Sequence, residues 1–192
     1  MMRNGSDRDG VASGAERYTT TAIVLHWAVA VLVFGMLGLG YRMVGIPPAT
    51  PARGLLFNLH KSVGLLVLLL VVVRIGWRRA HRPPPLPGTL PRWRVQAAHV
   101  AHQLLYAGTL LQPVTGFLGS AFGKHGVAFF GFALTPWARD VPAIRTPMVT
   151  AHHLIAALLV LLIGLHVATA LKDLLFDGRA VWRRMLAGIA PR

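Results

Sequence analysis

The fold of this 192-residue chain is decided by the stretch TAHHLIAALLVLLIGLHVATAL, residues 150–171. It contains no Asp, Glu, Lys or Arg, and it is long enough for a helix to cross a bilayer core, which takes about 20 mostly apolar residues. Three more stretches are long and apolar enough, residues 22–41, 57–76 and 97–119, although the second is less clean because Lys61 lies near its start and Arg74 near its end. The sequence therefore predicts an all-α fold, an integral membrane four-helix bundle.

The composition agrees with a membrane protein, since 54% of the residues are apolar and only 14% are charged. The net charge of +14 would indicate nucleic acid as a partner only if Lys and Arg were concentrated on one soluble face. Here they lie in short blocks between uncharged stretches such as residues 95–123. We therefore expect lipid as a partner and no nucleic acid.

The distribution of basic residues predicts the orientation. Four spans place both termini on one side of the membrane. The N-terminal segment, the loop after the second span and the C-terminal tail hold 14 Lys and Arg residues, whereas the other two loops hold six. Because basic loops stay in the cytoplasm, we predict that both termini are cytoplasmic. In the middle loop, residues 83–87 (PPPLP) indicate a stiff polyproline spacer.

Histidine is the ionisable residue that recurs in the spans, and such residues are functional candidates by default. Depth places His26 and His166 near the inner face, and His60 and His152, which open their helices, near the outer face. His152 and His166 are 14 residues apart, which is four turns at 3.5 residues per turn, so both project from one face. At 1.5 Å per residue they stand about 21 Å apart. His153 is rotated roughly 100° from that face and is the poorer candidate.

Pairs of opposed imidazoles suit bis-axial ligation of haem iron. Zinc prefers four ligands at one site, and copper sites usually include Met or Cys. The chain has no cysteine, which also excludes covalent c-type haem. The sequence therefore predicts two b haems, an inner one on His26 and His166 and an outer one on His60 and His152. Three glycines could form walls for a porphyrin or serve ordinary helix packing: Gly64, Gly116 and Gly164.

Several segments carry a family resemblance: Leu25-His26-Trp27, Leu59-His60-Lys61-Ser62-Val63-Gly64, His99-x-x-His102-x-x-x-Tyr106, and His152 with His166. They resemble the bacterial cytochrome b561 family of four-helix di-haem membrane proteins, over about residues 17–186. The resemblance implies a domain over residues 21–186, between a polar segment, residues 1–20, and a tail, residues 187–192. In that family the positions that match His26, His60, His152 and His166 ligate two b haems.

The resemblance also implies a function. Members pass electrons between the quinone pool and a second partner in the bacterial inner membrane, and at least one is a superoxide oxidase that reduces ubiquinone. We therefore expect a multi-pass, quinone-linked oxidoreductase. Where the family often has a histidine after the last haem ligand, this chain has Lys172 and Asp173. These two residues are quinone candidates, and His99 and His102 are the alternatives.

Two other functions remain open at this stage. One is an electron-carrying subunit that docks a separate periplasmic or membrane redox protein. The other is a haem-free, histidine-rich metal or proton transporter. The outer loops carry Lys61, Lys124, Arg139 and Arg145, and such a cationic rim could steer superoxide or an acidic protein to the outer face.

Overall fold

A computed structural model of the protein describes residues 18–48, 50–81, 91–135, 137 and 139–176. It contains four long helices and one short hairpin: α1 (Thr20–Val44), α2 (Pro51–Ala80), α3 (Arg92–Ala121), β1 (Ala128–Phe129), β2 (Phe132–Ala133) and α4 (Pro142–Leu175). The predicted all-α, four-helix architecture is confirmed. The N-terminal segment up to residue 17, the proline-rich residues 83–87 and the tail 187–192 lie outside the described residues.

Three of the described helices are long and apolar enough to cross a membrane. These are α1, α2 and α4, whose most apolar windows have a mean hydropathy of 2.3, 2.1 and 2.6. The predicted span 97–119 lies inside α3, which is long enough but less apolar because it carries residues such as His102 and Gln112. This helix packs against both α2 and α4, so neighbouring helices cover part of its polar surface.

Two of the helices, α2 and α4, begin well before the predicted apolar runs. Thr19 caps α1 by accepting the N–H of Ala22, and prolines occupy the first position of α2 and of α4. Proline suits that position because its fixed φ matches the helix and its missing N–H has no helical partner there. The prediction that His60 and His152 open their helices is therefore wrong, since α2 begins nine residues before His60 and α4 ten before His152.

The close packing follows the chain, from α1 to α2, from α2 to α3 and from α3 to α4, whereas α4 does not pack closely against α1 or α2. A small apolar core of Val29, Val67 and Val71 joins α1 to α2. Many large apolar side chains are nevertheless exposed, as in Phe34, Leu69 and others along all four helices. An apolar exterior of this extent is expected of a surface that faces lipid.

Consecutive helices run antiparallel. The indole N–H of Trp77, near the end of α2, donates to the Thr19 hydroxyl at the start of α1, at 2.9 Å. His26 of α1 and His102 of α3 both lie against His166, near the end of α4. One end of the bundle therefore gathers the start of α1, the end of α2, the start of α3 and the end of α4. Its assignment to the cytoplasmic side stays a prediction.

Candidate metal centres

The outer pair of histidines joins α2 to α4. The rings of His60 and His152 face each other with their centroids 6.3 Å apart and their planes at 75°. A cavity of about 220 Å³ borders both rings, together with Gly64, Gln112 and Gly116. The Nδ1 atom of His60 is buried and has no hydrogen-bond partner. Such an orphaned nitrogen is unusual in a folded interior and indicates that a ligand completes the site.

Gln112 of α3 fixes the orientation of His152. The Nδ1 atom of His152 lies 2.9 Å from the Gln112 backbone carbonyl, which can only accept, so Nδ1 carries the ring proton. The other nitrogen, Nε2, is then unprotonated and accepts from the Gln112 side-chain amide at 3.1 Å. A backbone carbonyl that holds Nδ1–H and leaves Nε2 able to ligate is the usual support of a metal-bound histidine.

Two glycines let the imidazoles approach neighbouring helices. A Cβ atom at Gly116 would lie 2.9 Å from Cε1 of His152, which is closer than real Cβ contacts. At Gly40 of α1 a Cβ atom would lie 3.4 Å from Cε1 of His60. Of the three glycines singled out in the sequence, Gly116 touches a histidine, Gly64 borders the cavity and Gly164 faces open space.

The inner pair joins α1 to α4. The rings of His26 and His166 have centroids 6.3 Å apart and planes at 70°. His102 of α3 also lies against His166, with centroids 5.5 Å apart. Three histidines therefore meet at this level, and the structure brings together both pairs that the sequence spacing predicts.

The separation of the rings tests whether these pairs fit a metal-centred cofactor. An imidazole nitrogen lies about 1.1–1.2 Å from its ring centroid, and imidazole–metal bonds are about 2.0–2.1 Å, as in zinc sites. One metal atom between two opposed rings thus sets the centroids about 6.4 Å apart. His26–His166 and His60–His152 both have this separation and join different helices, whereas His152 and His153 share it but are neighbours on one helix, and His102 lies too close to His166.

The donor set fits haem rather than a bare metal ion. Within the described part of the chain, no group of three or more His, Cys, Asp or Glu side chains could hold a metal ion, so a zinc site of the usual kind has no counterpart there. Two axial imidazoles are enough for haem because the porphyrin supplies the other four ligands. The loose approach of α4 to α1 and α2 leaves room between the same helices that carry the pairs.

Two arginine side chains lie at the level of the inner pair. Nη2 of Arg74 lies 2.9 Å from Nδ1 of His26. The guanidinium groups of Arg74 and Arg78 both sit over the ring of Tyr106, at 5.0 and 5.4 Å from its centroid. The inner level therefore carries fixed positive charge beside the imidazoles.

The outer level is covered by the hairpin. Lys61, next to His60, donates to the backbone carbonyl of Gly126 at 2.7 Å. The buried Ser62 hydroxyl accepts the N–H of Phe130 at 2.9 Å and reaches the Asn58 carbonyl at 2.8 Å. Of the other outer cations, Arg145 forms an ion pair with Asp140, while Lys124 and Arg139 are exposed.

The quinone candidates lie on α3 and α4, toward the end of the bundle that carries the inner pair. His102 belongs to the inner histidine group, while His99 is exposed on α3. Lys172 is exposed and Asp173 is half-buried in the last turn of α4. His153 borders the outer cavity but is exposed, and the ring opposite His60 is that of His152.

The sequence interpretation missed two residues at these centres, Arg74 and Gln112. Their polarity inside apolar stretches was the available signal, because such residues in a span face the bundle interior. Their partners could not be read from the sequence, since they depend on how neighbouring helices are rotated.

The profile of prokaryotic cytochrome b561 matches residues 17–188. The chain belongs to the prokaryotic cytochrome b561 family. It is 32% identical over 173 residues to Cytochrome b561 homolog 2 of Escherichia coli K12, covering 89% of this chain and 92% of the relative. It is 36% identical over 115 residues to Cytochrome b562 of Cereibacter sphaeroides, covering 58% and 71%. It is 26% identical over 158 residues to the probable superoxide oxidase CybB of Yersinia pestis, covering 81% and 88%.

Family membership confirms the resemblance seen in the sequence. This cytochrome b561 relative is an integral membrane electron-transfer protein, and the family implies haem b as its cofactor. The alternative of a haem-free transporter is therefore wrong. The number of haems, their ligands and the electron donor and acceptor belong to the proposals below.

Proposed function

We propose that this protein carries electrons across the bacterial inner membrane through two b haems, between a donor at the outer face and a quinone at the inner face. The single observation that supports this most strongly is the pair of matched histidine contacts, each with ring centroids 6.3 Å apart, at two levels of one bundle. His26 and His166 would hold the inner haem, and His60 and His152 the outer one.

Haem iron supplies the chemistry of one-electron transfer, and the protein sets its position and potential. α4 provides one ligand at each level, about 21 Å apart along its axis at 1.5 Å per residue. Gln112 keeps Nδ1 of His152 protonated and Nε2 unprotonated, and its side-chain amide, 3.1 Å from Nε2, would give way to the iron. Apolar side chains such as Val33, Leu37 and Leu65 line most of the outer cavity and limit its contact with water.

Superoxide is the donor we propose, and ubiquinone or another quinone is the acceptor. The similarity to the probable superoxide oxidase CybB of Yersinia pestis supports this choice. So do the exposed cations Lys124 and Arg139 of the outer loops, since positive charge there raises the encounter rate with an anion. Each superoxide gives up one electron and leaves as dioxygen. Two electrons and two protons convert one quinone to quinol.

The haem assignment is tested by counting haems in histidine variants. We expect the purified protein to hold two b haems, and we expect His26→Ala, His60→Ala, His152→Ala and His166→Ala to hold one each. Haem content is measured by the pyridine haemochrome assay, with the visible spectrum showing which band is lost. His153→Ala is the matched control and should keep both haems. A colourless protein, or loss of a haem in the control, would contradict the assignment.

The donor and acceptor are tested with the isolated protein. Enzymatically generated superoxide and a short-chain ubiquinone should give quinol faster with the protein than without it, and His60→Ala should return the rate to background. Lys172→Ala should slow quinol formation with unchanged haem content, if the quinone binds at the end of α4. A fully haem-loaded protein without turnover would favour the alternative, an electron-carrying subunit that docks a separate redox protein.

A further inference from the structure

Arg74 holds His26 in a form that cannot bind iron through Nε2. A guanidinium has only donors, so at 2.9 Å from Nη2 the Nδ1 atom of His26 must accept. A neutral imidazole has one proton, which then sits on Nε2 and blocks the lone pair needed for ligation. His152 shows the opposite arrangement, with Nδ1–H donated to a carbonyl and Nε2 unprotonated. Ligation at the outer site needs only that the Gln112 side-chain amide leave Nε2 of His152, whereas the inner site must also move a ring proton.

The surroundings of Arg74 indicate what would draw it away from His26. Arg74 is half-buried, and its guanidinium and that of Arg78 lie 5.0 and 5.4 Å from the centroid of the same Tyr106 ring, so two like charges meet at one aromatic side chain. Close like charges repel, and an anion bound between them removes that cost. Carboxylate is the anion that a planar guanidinium binds best, through two parallel hydrogen bonds. A b-type porphyrin carries two propionate carboxylates.

We propose that Arg74 is a haem-binding residue that exchanges partners: its guanidinium leaves Nδ1 of His26 and pairs with a propionate carboxylate of the inner haem. The ring proton of His26 then moves from Nε2 to Nδ1, and Nε2 becomes free to ligate. The proposal rests on the proposed function, since it requires a haem at the inner level. Binding of the propionate carboxylate by Arg74 and the freeing of Nε2 of His26 for ligation are then one coupled event.

The test compares two porphyrins at the inner site alone. His60→Ala protein, in which we expect the outer haem to be lost, is prepared without haem and titrated with haem b or with its dimethyl ester, which lacks both carboxylates. The bis-histidine visible spectrum measures binding. We expect haem b to bind about tenfold or more tightly than the ester, because a charge-assisted bidentate pair is lost with the ester.

Arginine variants in the same background assign the preference to one side chain. Arg74→Gln should lose most of the preference for haem b over the ester, and Arg74→Lys should keep part of it because the charge remains. Arg79→Gln, an exposed position on the same helix, should keep the full preference. Equal affinity of the parent for the two porphyrins, or an undiminished preference in Arg74→Gln, would overturn the inference. Absence of binding by either porphyrin would instead overturn the proposed function and the inference with it.

Discussion

At the scale of single residues, the outer centre depends on glycine at position 116. Gly116 lies beneath His152 so closely that a methyl group would stand 2.9 Å from Cε1 and 3.0 Å from Nδ1 of the ring. The imidazole is also held by the carbonyl of Gln112, one turn before Gly116 on α3, so it cannot move away from residue 116 without losing the hydrogen bond that sets its protonation. Glycine at this position is therefore a requirement of the site and not only of helix packing.

Gly116→Ala should consequently remove the outer haem. Overpacking of this kind costs about 1–3 kcal/mol, and rotation of His152 away from the methyl group would relieve it at the expense of ligation. We expect the haem content to fall from two to one per protein while the inner band of the visible spectrum remains. Gly35→Ala is the control, because a Cβ atom there meets nothing within 4 Å, and it should keep both haems. Two haems in Gly116→Ala would show that the close approach does not matter.

The histidine pairs were predictable because the helical repeat alone puts His152 and His166 on one face of α4. Arg74 and Gln112 were not, since their contacts depend on the rotation of α2 and α3 about their own axes. That rotation is set by many small packing contacts and leaves no periodic trace in a helix that is apolar on most sides.

At the scale of elements, the outer hairpin is an addition that the sequence did not predict. Its strands have two residues each, too few for an alternating pattern to be visible. Its turn holds Phe130 at a φ of 45° and Gly131 at 95°, a conformation that is uncommon for a bulky residue. The hydrogen bond from the Phe130 N–H to the buried Ser62 hydroxyl fixes this turn against α2.

Ser62→Ala should therefore loosen the hairpin without disturbing the helices. The Phe130 N–H would lose its acceptor, and a typical intramolecular hydrogen bond contributes about 0.5–1.5 kcal/mol. Hydrogen–deuterium exchange should show faster exchange over residues 127–135 and unchanged exchange in the centre of α2. Thr169→Ala also removes a hydroxyl, one that bonds only to a carbonyl of its own helix, and it should leave the hairpin unchanged. Equal exchange over residues 127–135 in the two variants would show that the Ser62 hydroxyl does not hold the hairpin.

At the scale of the whole molecule, the exterior is apolar along all four helices while the charges collect at their ends. The described core is correspondingly small, because lipid rather than a protein interior surrounds most of the apolar side chains. The apolar stretches of the sequence predicted the four helices that the structure contains. Three of these helices are apolar enough to cross a membrane, whereas the polar residues of α3 lower its hydropathy.

The orientation predicted from 14 basic residues against six can be tested in whole cells, because the chain has no cysteine of its own. Ala133→Cys places a thiol on the outer hairpin, and Ala80→Cys places one at the end of α2. Both positions are exposed, and the change in size is small and equal. A membrane-impermeant maleimide should label Ala133→Cys in intact spheroplasts and label Ala80→Cys only after the membrane is opened. The reverse labelling pattern would show the opposite orientation, in which the end that carries Arg74 and His166 faces the periplasm.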